Sequence, residues 1–334
     1  MIKRSSRRVN GIIVVDKPAG ITSYDVVRQF KRVMPEVKIG YLGTLDPLAT
    51  GVLPLLLGEG TKLAPFLEAG RKVYEATLYL GATTDTQDRE GKVLKTEDLG
   101  SYDFSVENVE KVMQRFRGRI MQRPPMYSAL KLNGEPLYKL ARRGEEAERA
   151  LREVEIYGLQ VTDITPPTLH LHIECSKGTY IRTVAHDIGE QLGCGAHLAE
   201  LRRIRSGPFG LEDALTLEDI EDLAHKGELH ERFYPLPKVM SFLPAVELEE
   251  VDALQIRNGQ AIPLEGFHER SEEHGTVVRV VARKDGELIA IGCIQHIKGD
   301  LMLRPLRVFH DAIFTKSSPY DRDTVRKMVH QGGR

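Results

Sequence analysis

Between residues 168 and 193 the spacing of apolar residues changes period, and this change restricts the fold more than any other feature of the chain. Leu169, Leu171 and Ile173 alternate with His170, His172 and Glu174, the period of a half-buried strand. The two histidines are read as the solvated face of that strand. From Tyr180 onward, Ile181, Val184, Ala185, Ile188 and Leu192 fall on one helical face, and Gly193 is a natural stop. A chain that passes so quickly from one period to the other is a mixed fold of strands and helices.

Other segments agree. Residues 11–15 form a short β-branched run that stops at Asp16-Lys17-Pro18-Ala19-Gly20, a buried strand ending in a turn. Thr22 or Ser23 caps a helix running to about Met34, with Val26, Val27, Phe30 and Val33 on its apolar face. Residues 72–81 alternate as a strand, and Ser105 opens a helix that ends by Gly118. The order lacks the strict βαβ rhythm of a doubly wound sheet, so the fold class is mixed α/β or α+β. Beyond the prolines of 235–244 the pattern becomes short strands, at 275–283, 288–295 and 301–308. That stretch is a small β-rich unit, followed by a polar tail at 312–334.

The net charge of −1 argues weakly against a nucleic-acid ligand. Its distribution argues the other way. Residues 1–11 carry Lys3, Arg4, Arg7 and Arg8 without an acid, and residues 123–143 carry five basic side chains against Glu135 alone. Acids gather elsewhere, as in Glu247, Glu249, Glu250 and Asp252. Cys175, Cys194 and Cys293 are far apart, which excludes a disulfide framework and fits no zinc spacing. No run approaches the roughly 18 apolar residues of a membrane span. A cytoplasmic protein is expected.

The chemistry centres on Gly43-Thr44-Leu45-Asp46-Pro47-Leu48-Ala49-Thr50-Gly51. Asp46 stands in a loop whose glycines permit tight turns and close approach of a ligand. A carboxylate held there can act as nucleophile or base, whereas an isolated Asp-Pro is an ordinary turn. The nine-residue run closely resembles the catalytic loop of the TruB-type pseudouridine synthases. Asp16-Lys17-Pro18-Ala19-Gly20-Ile21-Thr22-Ser23 resembles that family's N-terminal motif, and Lys72-Val73-Tyr74 its tyrosine motif. Ser176-Lys177-Gly178-Thr179-Tyr180-Ile181-Arg182, Gly193-Cys194-Gly195-Ala196-His197 and Leu201-Arg202-Arg203 resemble its later motifs. Order and spacing fit throughout residues 11–210.

The resemblance implies an α+β catalytic domain with a central mixed sheet over residues 1–241, and a small PUA-like RNA-binding domain over 242–311. It implies that uridine 55 in the T loop of tRNA is isomerised to pseudouridine without cofactor or metal, and raises a tRNA-folding activity beside it. Asp46 would carry the essential carboxylate, Arg182 would be its cationic partner, and Tyr74 would stack on uracil and take the C5 proton. Tyr180 and Leu201 would wall the pocket. Leu201 otherwise reads as core of a helix running into Arg202 and Arg203. The basic run resembles the RNA-gripping insertion of bacterial members, over about 123–152, and Gln87-Asp88-Arg89-Glu90-Gly91 matches a loop of the stand-alone bacterial type. Lys17, Arg123, Lys131, Lys139, Arg142, Arg143, Lys177, Arg202 and Arg203 are the expected RNA contacts, with Tyr41.

One residue departs from the family pattern. Tyr41 stands where a histidine is common, and it can stack but does not ionise near neutrality. Three rivals stand beside a monomeric stand-alone tRNA enzyme: a guide-RNA-dependent catalytic subunit, an RNA-binding module in which Asp46 is incidental, and a small-molecule carboxylate hydrolase, for which the sequence offers no second positioned acid. The basic insertion speaks against the first, so no guide RNA is expected.

Overall fold

The computed structural model describes residues 9–132, 134–264, 275–297 and 299–310. Its centre is a ten-stranded mixed sheet. The strand order runs Ala214–Leu215, Gly11–Lys17, Thr50–Leu57, Ala196–Ser206, Lys72–Leu80, Thr168–Cys175, Arg152–Thr165 and Gly118–Gln122, with Ile39–Tyr41 and Phe209–Gly210 attached at the side. Most pairs are antiparallel. The Thr50–Leu57 and Ala196–Ser206 strands lie parallel, with Arg202 opposite Thr50 and Arg203 opposite Gly51.

The alternation read at 168–174 is the strand Thr168–Cys175, and its apolar face meets Ala76 and Leu78 of the neighbouring strand. The helices Ser23–Val33, Val106–Gln114, Ile181–Leu192 and Leu217–Lys226 cover that face. The first is closed by a capping box, in which the Thr22 hydroxyl accepts from Asp25 N–H and the Asp25 carboxylate accepts from Thr22 N–H. Ile181–Leu192 ends on Gly193 in the left-handed region at φ 88°.

Three expectations change. The helix opened by Ser105 ends at Gln114, and Gly118, at φ 79°, starts the edge strand instead. Leu201 lies in the strand Ala196–Ser206, not in a helix, because its neighbours alternate between the two sheet faces. His170 and His172 do point away from the helices, but they are half-buried, and His170 Nδ1 lies 3.1 Å from the Thr77 hydroxyl. The tail at 312–334 and the basic residues at 3–8 lie outside the described residues.

The β-rich C-terminal part is a five-stranded sheet, ordered Ala245–Leu248, Val277–Ala282, Leu288–Ile297, Asp300–Val308 and Ile262–Pro263. The helix Glu250–Arg257 packs on it through Ala253 and Ile256. Val281, Leu288, Ile291 and Phe309 join one apolar cluster with Ile12, Val14, Val52 and Leu56 of the central sheet. Lys62 Nζ donates to the Val308 carbonyl at 2.9 Å across the same seam.

Candidate active site

The Asp46 loop leaves the short strand Ile39–Tyr41 and re-enters the sheet at Thr50. Gly43 and Gly51 reverse the chain with φ values of 69° and 100°. The loop is then held from several sides. The Ser23 hydroxyl accepts from Leu45 N–H at 2.9 Å and donates to the Leu45 carbonyl at 3.1 Å. Gly20 N–H donates to the Pro47 carbonyl at 2.8 Å. Arg203 Nη2 donates to the Gly43 carbonyl at 2.8 Å, and its Nε to the Val52 carbonyl at 2.8 Å.

Lys17 and Arg203 therefore do not sit where RNA contacts were expected. Both are enclosed, at 0% and 1% exposure. Lys17 Nζ donates to the carbonyls of Pro18, Ile21 and Pro47 at 2.8, 2.6 and 3.2 Å. Three protons meet three acceptors, which satisfies the ammonium without water. Burial brings its pKa down to about 8. A motif's positive charge is ordinarily surface chemistry; here it ties backbone together beneath the loop.

Arg182 meets Asp46 from the first turn of the helix Ile181–Leu192. Its Nε lies 2.8 Å from Asp46 Oδ2, and its Nη2 donates to Oδ1 at 3.3 Å. The guanidinium also donates to the Thr86 carbonyl at 3.0 Å and the Tyr127 carbonyl at 2.8 Å. Asp88 Oδ2 stands 3.5 Å from Nη1. One buried cation thus faces two carboxylates and two carbonyls from three separate segments. Burial pushes the Asp46 carboxyl above the usual carboxylate range, Arg182 pulls it back, and Asp88 adds to the upward push. Even so, about a third of the Asp46 side chain (35%) stays open to solvent.

Tyr74 lies on the helix-covered face of the sheet, opposite Ile173 on one neighbouring strand and Arg203 on the other. Burial raises the pKa of its hydroxyl, with Arg203 opposing. Tyr180, half-buried, is raised for the same first reason, with Ser128 opposing. Leu201 is 7% exposed and shares a cluster with Tyr74, Ala76 and Leu45. Tyr41 is half-buried and packs against that cluster. A groove of about 600 Å³ opens on the other sheet face, lined by Glu75, Thr77, His170, His172, Glu200 and Arg202. It meets the loop at Leu48 and Thr50, and Ala76 and Leu201 also line it.

Among the other basic positions, Arg123, Lys131, Lys139, Arg142, Arg143 and Lys177 are exposed. Arg143 is already paired with Glu135 and Glu145, at 2.7 and 2.6 Å. Arg202 is held by Asp16 at 2.7 Å. The insertion folds as a small hairpin, Lys131–Leu132 with Glu135–Pro136, followed by the helix Leu137–Arg142. Sequence reasoning did not single out Asp88 by itself, although it lies inside the run 87–91. Nor did it single out Gln122, which carried no signal. Among the described residues, no group of three His, Cys, Asp or Glu side chains could hold a metal ion.

Residues 31–181 match the N-terminal domain of the TruB family of pseudouridylate synthases. Residues 182–251 match the C-terminal domain of tRNA pseudouridylate synthase B, and residues 244–309 a C-terminal domain of pseudouridine synthase II TruB. A Geobacter sulfurreducens protein named tRNA pseudouridine synthase B is 43% identical over 311 residues, spanning 90% of this chain and all (100%) of that one. A Syntrophotalea carbinolica protein of the same name is 52% identical over 216 residues, 65% of this chain and 70% of its own. In the crystal structure of a Cbf5-Nop10-Gar1 complex, a chain 30% identical superposes with a TM-score of 0.70, covering 90% of this chain and 85% of that chain.

Proposed function

Because the chain belongs to the TruB family of pseudouridylate synthases, we propose that it isomerises uridine 55 in the T loop of tRNA to pseudouridine, with Asp46 as the essential carboxylate. The observation that carries this reading is the Asp46–Arg182 pair: a carboxylate about one-third open to solvent, oriented by a buried cation.

The isomerisation breaks the bond between ribose C1′ and uracil N1, turns the base, and joins C5 to C1′. The C5 hydrogen leaves as a proton and N1 gains one, so atoms and electrons balance without an outside reagent. Asp46 acts on the ribose or the base at the moment the glycosidic bond gives way. Arg182 keeps the carboxylate in place and offsets the cost of charge in a dry site. Tyr74 and Leu201 shape the pocket and Tyr180 closes it, which fits a base flipped out of its stack. Tyr74 is the candidate that takes the C5 proton, although burial raises its pKa and so favours the protonated hydroxyl, and Arg203 beside it opposes that rise.

Exposed Arg123, Lys131, Lys139, Arg142 and Lys177 would meet phosphates. In this reading residues 1–241 carry catalysis and 242–311 grip RNA toward the acceptor stem. The enzyme works as a monomer on naked tRNA without a guide. Tritium release from C5-labelled uridine in a T-arm stem-loop tests the proposal. Wild type should release it without partner proteins, and Asp46→Asn should release none. Undiminished release by the mutant, or none by wild type, ends this reading.

A further inference from the structure

The edge strand Gly118–Gln122 ends where the basic insertion begins. Its last residue, Gln122, is 2% exposed. Gln122 Nε2 donates to the Tyr180 carbonyl at 3.1 Å, and Gln122 Oε1 accepts from the Tyr180 N–H at 2.8 Å. One side-chain amide makes with one residue the two bonds that an antiparallel neighbour would make. Tyr180 is the residue just ahead of the helix Ile181–Leu192, and no side-chain cap fixes that helix start. Its backbone takes its position from Gln122.

The same stretch of chain makes two more contacts to this corner. The Tyr127 carbonyl accepts from Arg182 Nη2 at 2.8 Å. Ser128, 5% exposed, faces the Tyr180 hydroxyl. Residues 122–128 therefore hold Tyr180 by its backbone, with Ser128 near its hydroxyl, and Arg182 by its guanidinium. Tyr127 and Ser128 lie in the run that resembles the RNA-gripping insertion, whereas Gln122 lies just ahead of it, outside every such run.

We propose that Gln122 is a positioning residue for the isomerisation: it clamps the Tyr180 backbone, and through it sets where Tyr180 and Arg182 stand relative to Asp46. The segment that enters the RNA-gripping insertion is thereby a latch on the active site. This inference rests on the roles given above to Tyr180 and Arg182. A displacement of about 1 Å in such groups lowers turnover on the order of 100-fold.

The test uses two variants of the full chain. Gln122→Met keeps the length and removes both bonds. Its single-turnover tritium release should fall on the order of 10- to 100-fold. Affinity for the T-arm RNA should stay within about twofold, because an interaction realised only during reaction moves rate and not binding. Gln122→Glu gives a signature that general damage to the fold would not. Ionised, it accepts from the Tyr180 N–H but sets a second oxygen against the Tyr180 carbonyl. Protonated, it regains the missing donor. Burial raises such an acid toward neutrality, so its rate relative to wild type should climb as pH falls from about 8 to about 6.

Hydrogen exchange at the Tyr180 amide supplies a readout free of substrate, and it should be faster in Gln122→Met. Wild-type rates in Gln122→Met, a loss matched by equal loss of affinity, a pH-flat ratio for Gln122→Glu, or unchanged exchange at Tyr180 would each overturn the proposal. If wild type itself releases no tritium, the functional reading fails alone. The exchange measurement then decides whether Gln122 positions Tyr180.

Discussion

Replacing Lys17 with methionine isolates what its buried ammonium does. Methionine keeps a similar stem but has no proton to give the carbonyls of Pro18, Ile21 and Pro47. A stranded buried acceptor costs about 1–3 kcal/mol. These three lie at the rim of the fold, so a total loss of about 3 kcal/mol near neutral pH is expected. The pH dependence is more telling. Burial lowers Lys17 from its ordinary 10.5 to about 8. Between those values the unfolded chain holds a proton that the folded chain has released, so wild-type stability from this group rises with pH. Linkage over the two units from about pH 7.5 to about pH 9.5 amounts to about 2 kcal/mol. Lys72 is also brought by burial to about 8, but it is present in both proteins and cancels. Urea unfolding of wild type and Lys17→Met across that range should therefore show the stability gap widening by about 2 kcal/mol. A constant or narrowing gap refutes the reasoning. Salt supplies a second check. An enclosed lysine meets no phosphate, so the slope of log affinity against log salt for T-arm RNA should be unchanged in the variant. A slope shallower by about one would put Lys17 back on the RNA.

Arg182→Lys keeps the charge but loses the two-point contact with Asp46 and at least one carbonyl partner; single-turnover release should fall on the order of 100-fold or more while RNA affinity holds. A rate near wild type would count against the pair as the working unit. Arg142→Ala should lower the salt slope of RNA binding by about one, whereas Arg143→Ala should leave it, since Glu135 and Glu145 already neutralise that guanidinium. The reverse pattern, read by filter binding over a salt series, would defeat this assignment. Gly51→Ala places a side chain at φ 100° and against the Arg203 carbonyl, so stability should drop by more than about 2 kcal/mol. An unchanged urea midpoint would mean that the loop exit tolerates a side chain.

What could be read in advance, and what could not, follows from the reach of each signal. Periodicity is local, and it placed the strand at 168 and the helix at 181 almost to the residue. The Thr22 cap was legible because its partner, Asp25, is three residues away. Leu201 had no such local cue: its two neighbouring arginines suit a helix or a strand, and only pairing with Ala76 decides. Lys17 and Arg203 misled for a different reason. A charge is ordinarily a surface residue, and the carbonyls that receive these two arrive from the turn at 18–21 and from 42–52. Asp46 could be picked out because its whole loop resembles a known one. Gln122 could not, because the residue it bonds, Tyr180, lies far along the chain. A short-range pattern cannot announce a long-range bond.

The seam between the two sheets has a mechanical consequence. Leu288, Ile291 and Phe309 share one apolar cluster with Ile12, Val14 and Leu56, and the Lys62 bond to Val308 crosses the same place. Two modules joined by a strap can swing; two modules joined by common core cannot without opening it. The C-terminal sheet and the Asp46 loop therefore stand at a set separation, like the jaws of a caliper. In the function proposed above, an RNA held by both parts would meet them at one fixed spacing.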